Sequence, residues 1–224
     1  MLRPVAEDVY VFEVPFRFAG LEVGGRMTVV RLPDGGLWVH SPVRLTPEAR
    51  AAVDALGPVR FLVAPNLMHH LFVQDWAAAY PEAKVAAPPR LRHKRPDLRI
   101  DIELGDGVDR GWARIIDQAF VRGMPKLDEC IFFHRPSRTV LITDLAFNVH
   151  RADSWRLRAY LKLSGAWQRL AMTLTARMLI RHKPTVREVF SRVRAWDAER
   201  VVVCHGDVVE KGGREALANA FPKL

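Results

Sequence analysis

Two adjacent histidines, His69 and His70, stand where an apolar run gives out in the stretch FLVAPNLMHHLFVQDWA. Neutral imidazole is the commonest metal ligand in proteins, so such a pair at a structural junction is a candidate for metal chemistry. Phe61 to Ala64 read as a buried strand, Pro65-Asn66 ends it, and the spacing from Leu71 to Tyr80 predicts a helix. Neighbouring side chains on a regular strand point to opposite faces, whereas at a strand-to-helix junction both rings can turn toward one point. The plainer reading of an isolated His-His pair is a helix cap beside a solvated surface residue.

Two other strand ends weigh against that plainer reading. Thr139 to Thr143 runs straight into Asp144, and the apolar strand Arg200 to Cys204 runs into His205. His69, His70, Asp144 and His205 are therefore the expected metal ligands, gathered on one rim of a sheet where rigid strands place them and loops leave room for substrate. Three imidazoles and one carboxylate suit zinc first, and ferrous iron or manganese as alternatives. A divalent ion with an open coordination position lowers the pKa of bound water toward neutrality, which suits attack on an ester, thioester, amide or phosphoester. Asp144 and His205 are the residues assigned to catalysis, Asp144 as ligand first and proton acceptor second. Glu129 and Asp207 are candidates for orienting those groups, each more simply a solvated acid. His40 and His134 fall inside strands and read as core or pocket-wall residues.

The elements that must position these groups follow an α/β order. Val9 to Val14 and Met27 to Val30 are strand-like, and the turn Pro33-Asp34-Gly35-Gly36 leads into a strand at Leu37 to His40. Thr46-Pro47-Glu48 starts a helix that Gly57 ends. A short strand lies around Lys84 to Ala86, and a basic piece bounded by prolines runs from Pro88 to Pro96. Strands at Ile100 to Leu104 and Ala113 to Val121 flank a turn at Gly105-Asp106-Gly107. Cys130 to His134, the turn Arg135-Pro136-Ser137-Arg138 and Thr139 to Thr143 make the clearest hairpin. Beyond Asp153, apolar residues from Leu157 to Met178 recur every three or four positions and predict one long basic helix. Helices from Pro184 to about Trp196 and from Arg214 to Ala220 complete the series.

This order resembles the metallo-β-lactamase fold over most of the chain, and more closely a branch of it, the DUF4336 family. Leu141 to Phe147 looks like the segment that delivers a bridging aspartate after a strand, and Val202-Val203-Cys204-His205-Gly206 like the final strand with its histidine. PNLMHHLF, FFHRPSRT before the Asp144 strand, and CHGD together resemble the DUF4336 pattern. The resemblance implies an αββα sandwich, two mixed sheets flanked by helices. It also implies a departure, because the signature His-x-His-x-Asp-His falls on Pro65-Asn66-Leu67-Met68-His69-His70. Its first two histidines are Pro65 and Leu67 here, and Gly123 to Lys126 lack the histidine expected in that loop. One metal rather than two is inferred, with His69 in the aspartate position.

At 224 residues and 49% hydrophobic content the chain suits a single domain over 1–224. MLRPVAEDVY has no apolar run of signal-peptide length, and Cys130 and Cys204 form no disulfide framework, so a soluble cytoplasmic protein is expected. The net charge of +9 is concentrated in a basic helical insertion at about 151–183, where eight Lys and Arg residues face the single acid Asp153. A solvated helix face is the ordinary explanation. The alternatives are peripheral contact with an anionic membrane or a positive wall that draws a small anionic substrate to the site. Nucleic-acid binding ranks lower. The leading function is a mononuclear metal-dependent hydrolase of a small substrate, and the alternative is a catalytically inactive binding protein of the same fold. Oligomeric state is not legible.

Overall fold

The computed structural model describes residues 2–106 and 111–221. Its first sheet has seven strands, adjacent in the order β1 (Arg3–Ala6), β2 (Val9–Val14), β5 (Gly25–Arg31), β6 (Leu37–His40), β7 (Val59–Val63), β8 (Lys84–Ala87) and β9 (Ile102–Glu103). A small hairpin, β3 (Arg17–Phe18) and β4 (Leu21–Glu22), interrupts the chain between β2 and β5. The second sheet has the order β10 (Ile116–Phe120), β11 (Cys130–His134), β12 (Thr139–Ile142) and β15 (Arg200–Val203), and β13 (Ala146–Phe147) pairs separately with β14 (Ala171–Met172). β6, β7, β8 and β9 run parallel, as do β12 and β15, so their carboxyl ends make two facing rims.

Period-two alternation sorts the side chains of each strand between two cores. In the second sheet Ile131, Phe133, Val140, Ile142, Val201 and Val203 face helices α6 (Lys183–Ala195) and α7 (Gly213–Ala220), packing on Val189, Phe190 and Leu217. Cys130, Phe132, Leu141 and Val202 turn the other way and meet Val30, Trp38, Val63 and Ala86 of the first sheet. The opposite face of that sheet, with Val29, Val39 and Leu62, is covered by α1 (Pro47–Asp54), α2 (Val73–Ala79) and α3 (Leu91–Lys94). The result is the expected four-layer order of helices, sheet, sheet and helices.

Several local expectations hold for identifiable reasons. The Thr46 hydroxyl accepts from Ala49 N at 3.2 Å and caps α1, with Pro47 in its first turn. The turn between β11 and β12 closes through Arg138, whose φ of 52° lies in the left-handed region. Others are corrected. β9 pairs with β8 in the first sheet and β10 with β11 in the second, so the chain crosses layers there; Gly107 of the expected turn lies outside the described residues. The single long basic helix is two short ones, α4 (Trp155–Ser164) and α5 (Leu174–Met178), separated by β14. Gly165 at φ 68° provides the left-handed cap that stops α4, and Ala171-Met172 then pairs with Phe147-Ala146 instead of continuing the helix. Among the described residues no helix is long and apolar enough to cross a membrane.

Candidate metal centre

The carboxyl ends of β6, β7, β12 and β15 converge, and the loops that follow them carry the polar groups. After β7 the buried Asn66 side chain turns back on its own loop, its Oδ1 accepting from Met68 N and His69 N at 2.8 Å each. That tight turn spreads consecutive side chains apart. His69 goes toward Asp144, and His70 goes toward α3, where its Nδ1 lies 3.3 Å from the Arg95 guanidinium.

The structure brings three of the four sequence-derived candidates together. Ligand atoms of His69, Asp144 and His205 all lie within 4.8 Å of one another. His69 Nε2 is 3.3 Å and His205 Nε2 3.2 Å from Asp144 Oδ1, and the two rings meet edge to face at 5.3 Å. His70 does not join them. Its pKa is lowered to about 4, first by burial and then by the neighbouring Lys94 and Arg95 cations.

Each imidazole is held by its remote nitrogen. His205 Nδ1 is 2.7 Å from the Gly24 carbonyl; a carbonyl only accepts, so Nδ1 carries the proton and Nε2 presents toward Asp144. His69 Nδ1 is 2.7 Å from Ser41 Oγ, and Ser41 follows β6 with φ 53°, an uncommon conformation for serine that aims the hydroxyl into the cluster. A partner on the second ring nitrogen is the usual way a metal-binding histidine is oriented.

Asp144 is set by a buried polar network. Glu129 Oε2 accepts from Asp144 N at 2.9 Å and Leu145 N at 3.2 Å, and its Oε1 from Thr143 N at 2.8 Å. Asn66 Nδ2 reaches Glu129 Oε2, Thr143 Oγ1 and Asp144 Oδ2 at 2.9, 2.9 and 2.8 Å, and so ties the two carboxylates. Burial, and then the Asp144 charge, push the Glu129 carboxyl up to about 7. Burial opposes ionisation of Asp144 too, but His69 and His205 outweigh it and hold that carboxyl well below the usual range. Burial likewise favours neutral His69, and Asp144 with Cys204 outweighs it and raises the imidazole well above its ordinary value.

The turn carrying His205 is clamped from the first sheet. Arg26, buried in β5, donates to the Val203 and Gly206 carbonyls on either side of His205 and pairs with Glu13 at 2.6 Å. Gly206, at φ 101°, lies so close to the Asn148 carbonyl that a Cβ would collide with it. Phe147 packs on the His205 ring at 4.6 Å and walls that side.

The remaining candidates separate clearly. Glu129 is an orienting group and no solvated acid, whereas Asp207 is exposed and bonds His150 N at 3.0 Å, away from the cluster. His40 and His134 are buried; His134 bonds Ser137 at 2.7 Å, and His40 stacks on Trp38. Asn66, Ser41 and Arg26 were not singled out from the sequence. The one signal was a buried-strand arginine, Arg26, directly ahead of Met27, Val29 and Val30 in β5.

Residues 6–91 match the family model "Domain of unknown function (DUF4336)". No curated protein matches the chain. Among solved structures, a metallo-β-lactamase from Pontibacter korlensis superposes with a TM-score of 0.67 at 12% identity, over 97% of this chain and 95% of that one. DIM-1 metallo-β-lactamase gives 0.64 at 12% identity, over 97% and 96%. The fold is that of the metallo-β-lactamases. The metal-soaked Flv1 flavodiiron core from Synechocystis shares this metallo-β-lactamase fold, with a TM-score of 0.65 at 11% identity over 97% of this chain and 59% of its own.

The donor set fits a divalent transition metal. Ligands about 2.0–2.1 Å from a tetrahedral ion stand about 3.3 Å from one another, and the two imidazole-to-carboxylate separations here are 3.2 and 3.3 Å.

Proposed function

We propose that the protein is a mononuclear metal-dependent hydrolase, with His69, Asp144 and His205 holding one divalent ion, zinc first and iron or manganese as alternatives. The observation that carries this reading is the pairing of ring contacts: both imidazoles turn Nε2 to a common carboxylate while their Nδ1 atoms are engaged elsewhere. When bound, such an ion acts as a Lewis acid and lowers the pKa of a coordinated water toward neutrality.

The chain's own residues supply the rest. Ser41 and Gly24 hold the two rings, and Asn66 and Glu129 fix the Asp144 loop. Asp144 and His69 keep 21% and 15% of their side-chain surface exposed, which leaves an approach for substrate on that side. Asp144 is a ligand first and a proton acceptor second. Lys94 donates to Leu67 O at 2.6 Å and Arg95 pairs with Asp97 at 2.6 Å, so both cations serve the His70 side of the loop. The rival reading, a non-catalytic relative, draws on Pro65 and Leu67 standing where two signature histidines would be.

Elemental analysis of protein purified without chelator is expected to find close to one transition metal per chain. His69→Ala, Asp144→Asn and His205→Ala should lose it, and His70→Ala should keep it. Two ions per chain would overturn the single site, and none would favour the scaffold reading. Ester, thioester and phosphodiester panels then search for the reaction.

A further inference from the structure

The segment from Arg151 to Lys183 leaves large apolar side chains standing in solvent: Leu163 is 83% exposed, Met178 70%, Trp155 68% and Leu174 45%. Isolated exposed leucines need no explanation, but a grouped set with a pattern does. On α4 the inward stripe, Leu157 and Leu161, is already buried with Phe147, Val149 and Ala171. Trp155, Ala159 and Leu163 form a second stripe at i, i+4 and i+8 on the outward side. At 100° per residue, Arg156 lies about 60° to one side of that ridge and Lys162 about 60° to the other. α5 is tethered to α4 by a 2.8 Å hydrogen bond between Tyr160 and Thr175, and its exposed Leu174 and Met178 stand one turn apart.

The charges lack acidic partners, although the Arg156 guanidinium lies over the Trp155 ring at 5.7 Å and Arg169 donates to the Gly165 carbonyl at 2.6 Å. Arg17, Arg50, Arg135 and Arg192 elsewhere in the chain pair with carboxylates. Among the described residues none of Arg156, Arg158, Lys162, Arg169, Arg177 and Arg181 makes an ion pair, and Asp153 is the only acid in the segment.

We propose that the outer face of α4 and α5 docks on an anionic lipid bilayer, with Trp155 and Leu163 entering the headgroup boundary and the flanking cations meeting lipid phosphates. A fluid surface suits side chains that project singly from a convex ridge, tryptophan favours the boundary between water and hydrocarbon, and long basic side chains keep their charge in the headgroups. An acidic protein partner would meet the same cations but would need a shaped recess for the ridge. The inference does not depend on the metal reading, since none of these residues is in the metal centre.

The test is co-sedimentation of the full chain with phosphatidylcholine vesicles containing or lacking phosphatidylglycerol, with soluble polyglutamate as a separate probe. Binding is expected only to the anionic vesicles and should fall as salt rises. The double variant Trp155→Gln/Leu163→Gln should weaken it at least about tenfold. Arg156→Gln and Lys162→Gln should each weaken it about fivefold. The control Arg187→Gln/Arg214→Gln, exposed cations outside the segment, should bind like the parent. No binding to anionic vesicles, binding that the ridge variant leaves unchanged, or ridge-dependent binding to polyglutamate alone would each overturn the proposal. Matching circular dichroism of parent and variants separates loss of binding from loss of fold.

Discussion

Arg26 reaches from one sheet to the turn of the other that carries His205, and its guanidinium satisfies the buried Val203 carbonyl and the partly buried Gly206 carbonyl. Replacing it with methionine keeps much of the bulk and removes the donors. The expected result is a 10–100-fold loss of metal affinity measured by competition with a chelating dye, the range typical when a group that orients a ligand is removed. Glu129 makes a sharper case, because its oxygens meet three backbone N–H groups and the Asn66 amide. Glu129→Gln sets an amide against one of those donors, and thermal melts should show roughly 1–3 kcal/mol of lost stability. Asn66→Ala should release Asp144 and the His69 turn together, so its effect and that of Glu129→Gln should combine non-additively in a double-mutant cycle.

At the level of elements, two glycines with similar backbone requirements separate conformational strain from collision. Gly165→Ala meets only the movable end of Arg169, so the cost is that of a left-handed cap, about 1 kcal/mol, with metal binding unchanged. Gly206→Ala meets the Asn148 backbone and should both lower the melting temperature by more than Gly165→Ala does and abolish metal uptake. Much of the scaffold was legible because it is written in local patterns: the β11–β12 hairpin and β15 are continuous apolar runs bounded by turn residues, and α6 has amphipathic spacing of its own. The ends of β7, β12 and β15, visible as breaks in apolar runs, are where His69, Asp144 and His205 come within 4.8 Å of one another. What could not be read depends on contacts distant in sequence, such as Ser41 with His69 and Arg26 with Gly206. His70 illustrates the limit, since one residue of turn geometry, set by Asn66, decides which neighbour of the pair faces the cluster. The broken basic helix illustrates another, because Ala171-Met172 keeps helical spacing while tertiary pairing with β13 takes it into a strand.

For the molecule as a whole, buried histidines set the response to acid. His40 is pushed down to about 3 by burial and then by His69, and His70 and His134 to about 4, burial being the first cause for both. These groups stay neutral in the folded state while the unfolded chain takes up protons below about 6.5. The share of stability due to these three groups should therefore be full above that value and decline as pH falls from about 6.5 toward 4 and 3, whereas His69, held well above its ordinary value, contributes in the opposite sense, its share being lost as pH rises. Denaturant titrations across this window should show the decline, and His134→Gln should make it shallower. An unchanged slope would assign the acid response to the carboxylates instead.

The cluster draws one group from the first layer, His69, and two from the second, Asp144 and His205. An ion held there would act as a rivet between the two sheets, and loading would stabilise the folded state by an amount set by its concentration relative to its dissociation constant. Because position 205 is emitted last of the three, a nascent polypeptide has no complete binding set until its final strand has left the ribosome. Ion capture, on the proposed reading, would be a late event in biogenesis, and a chain stalled before that strand should emerge without the ion.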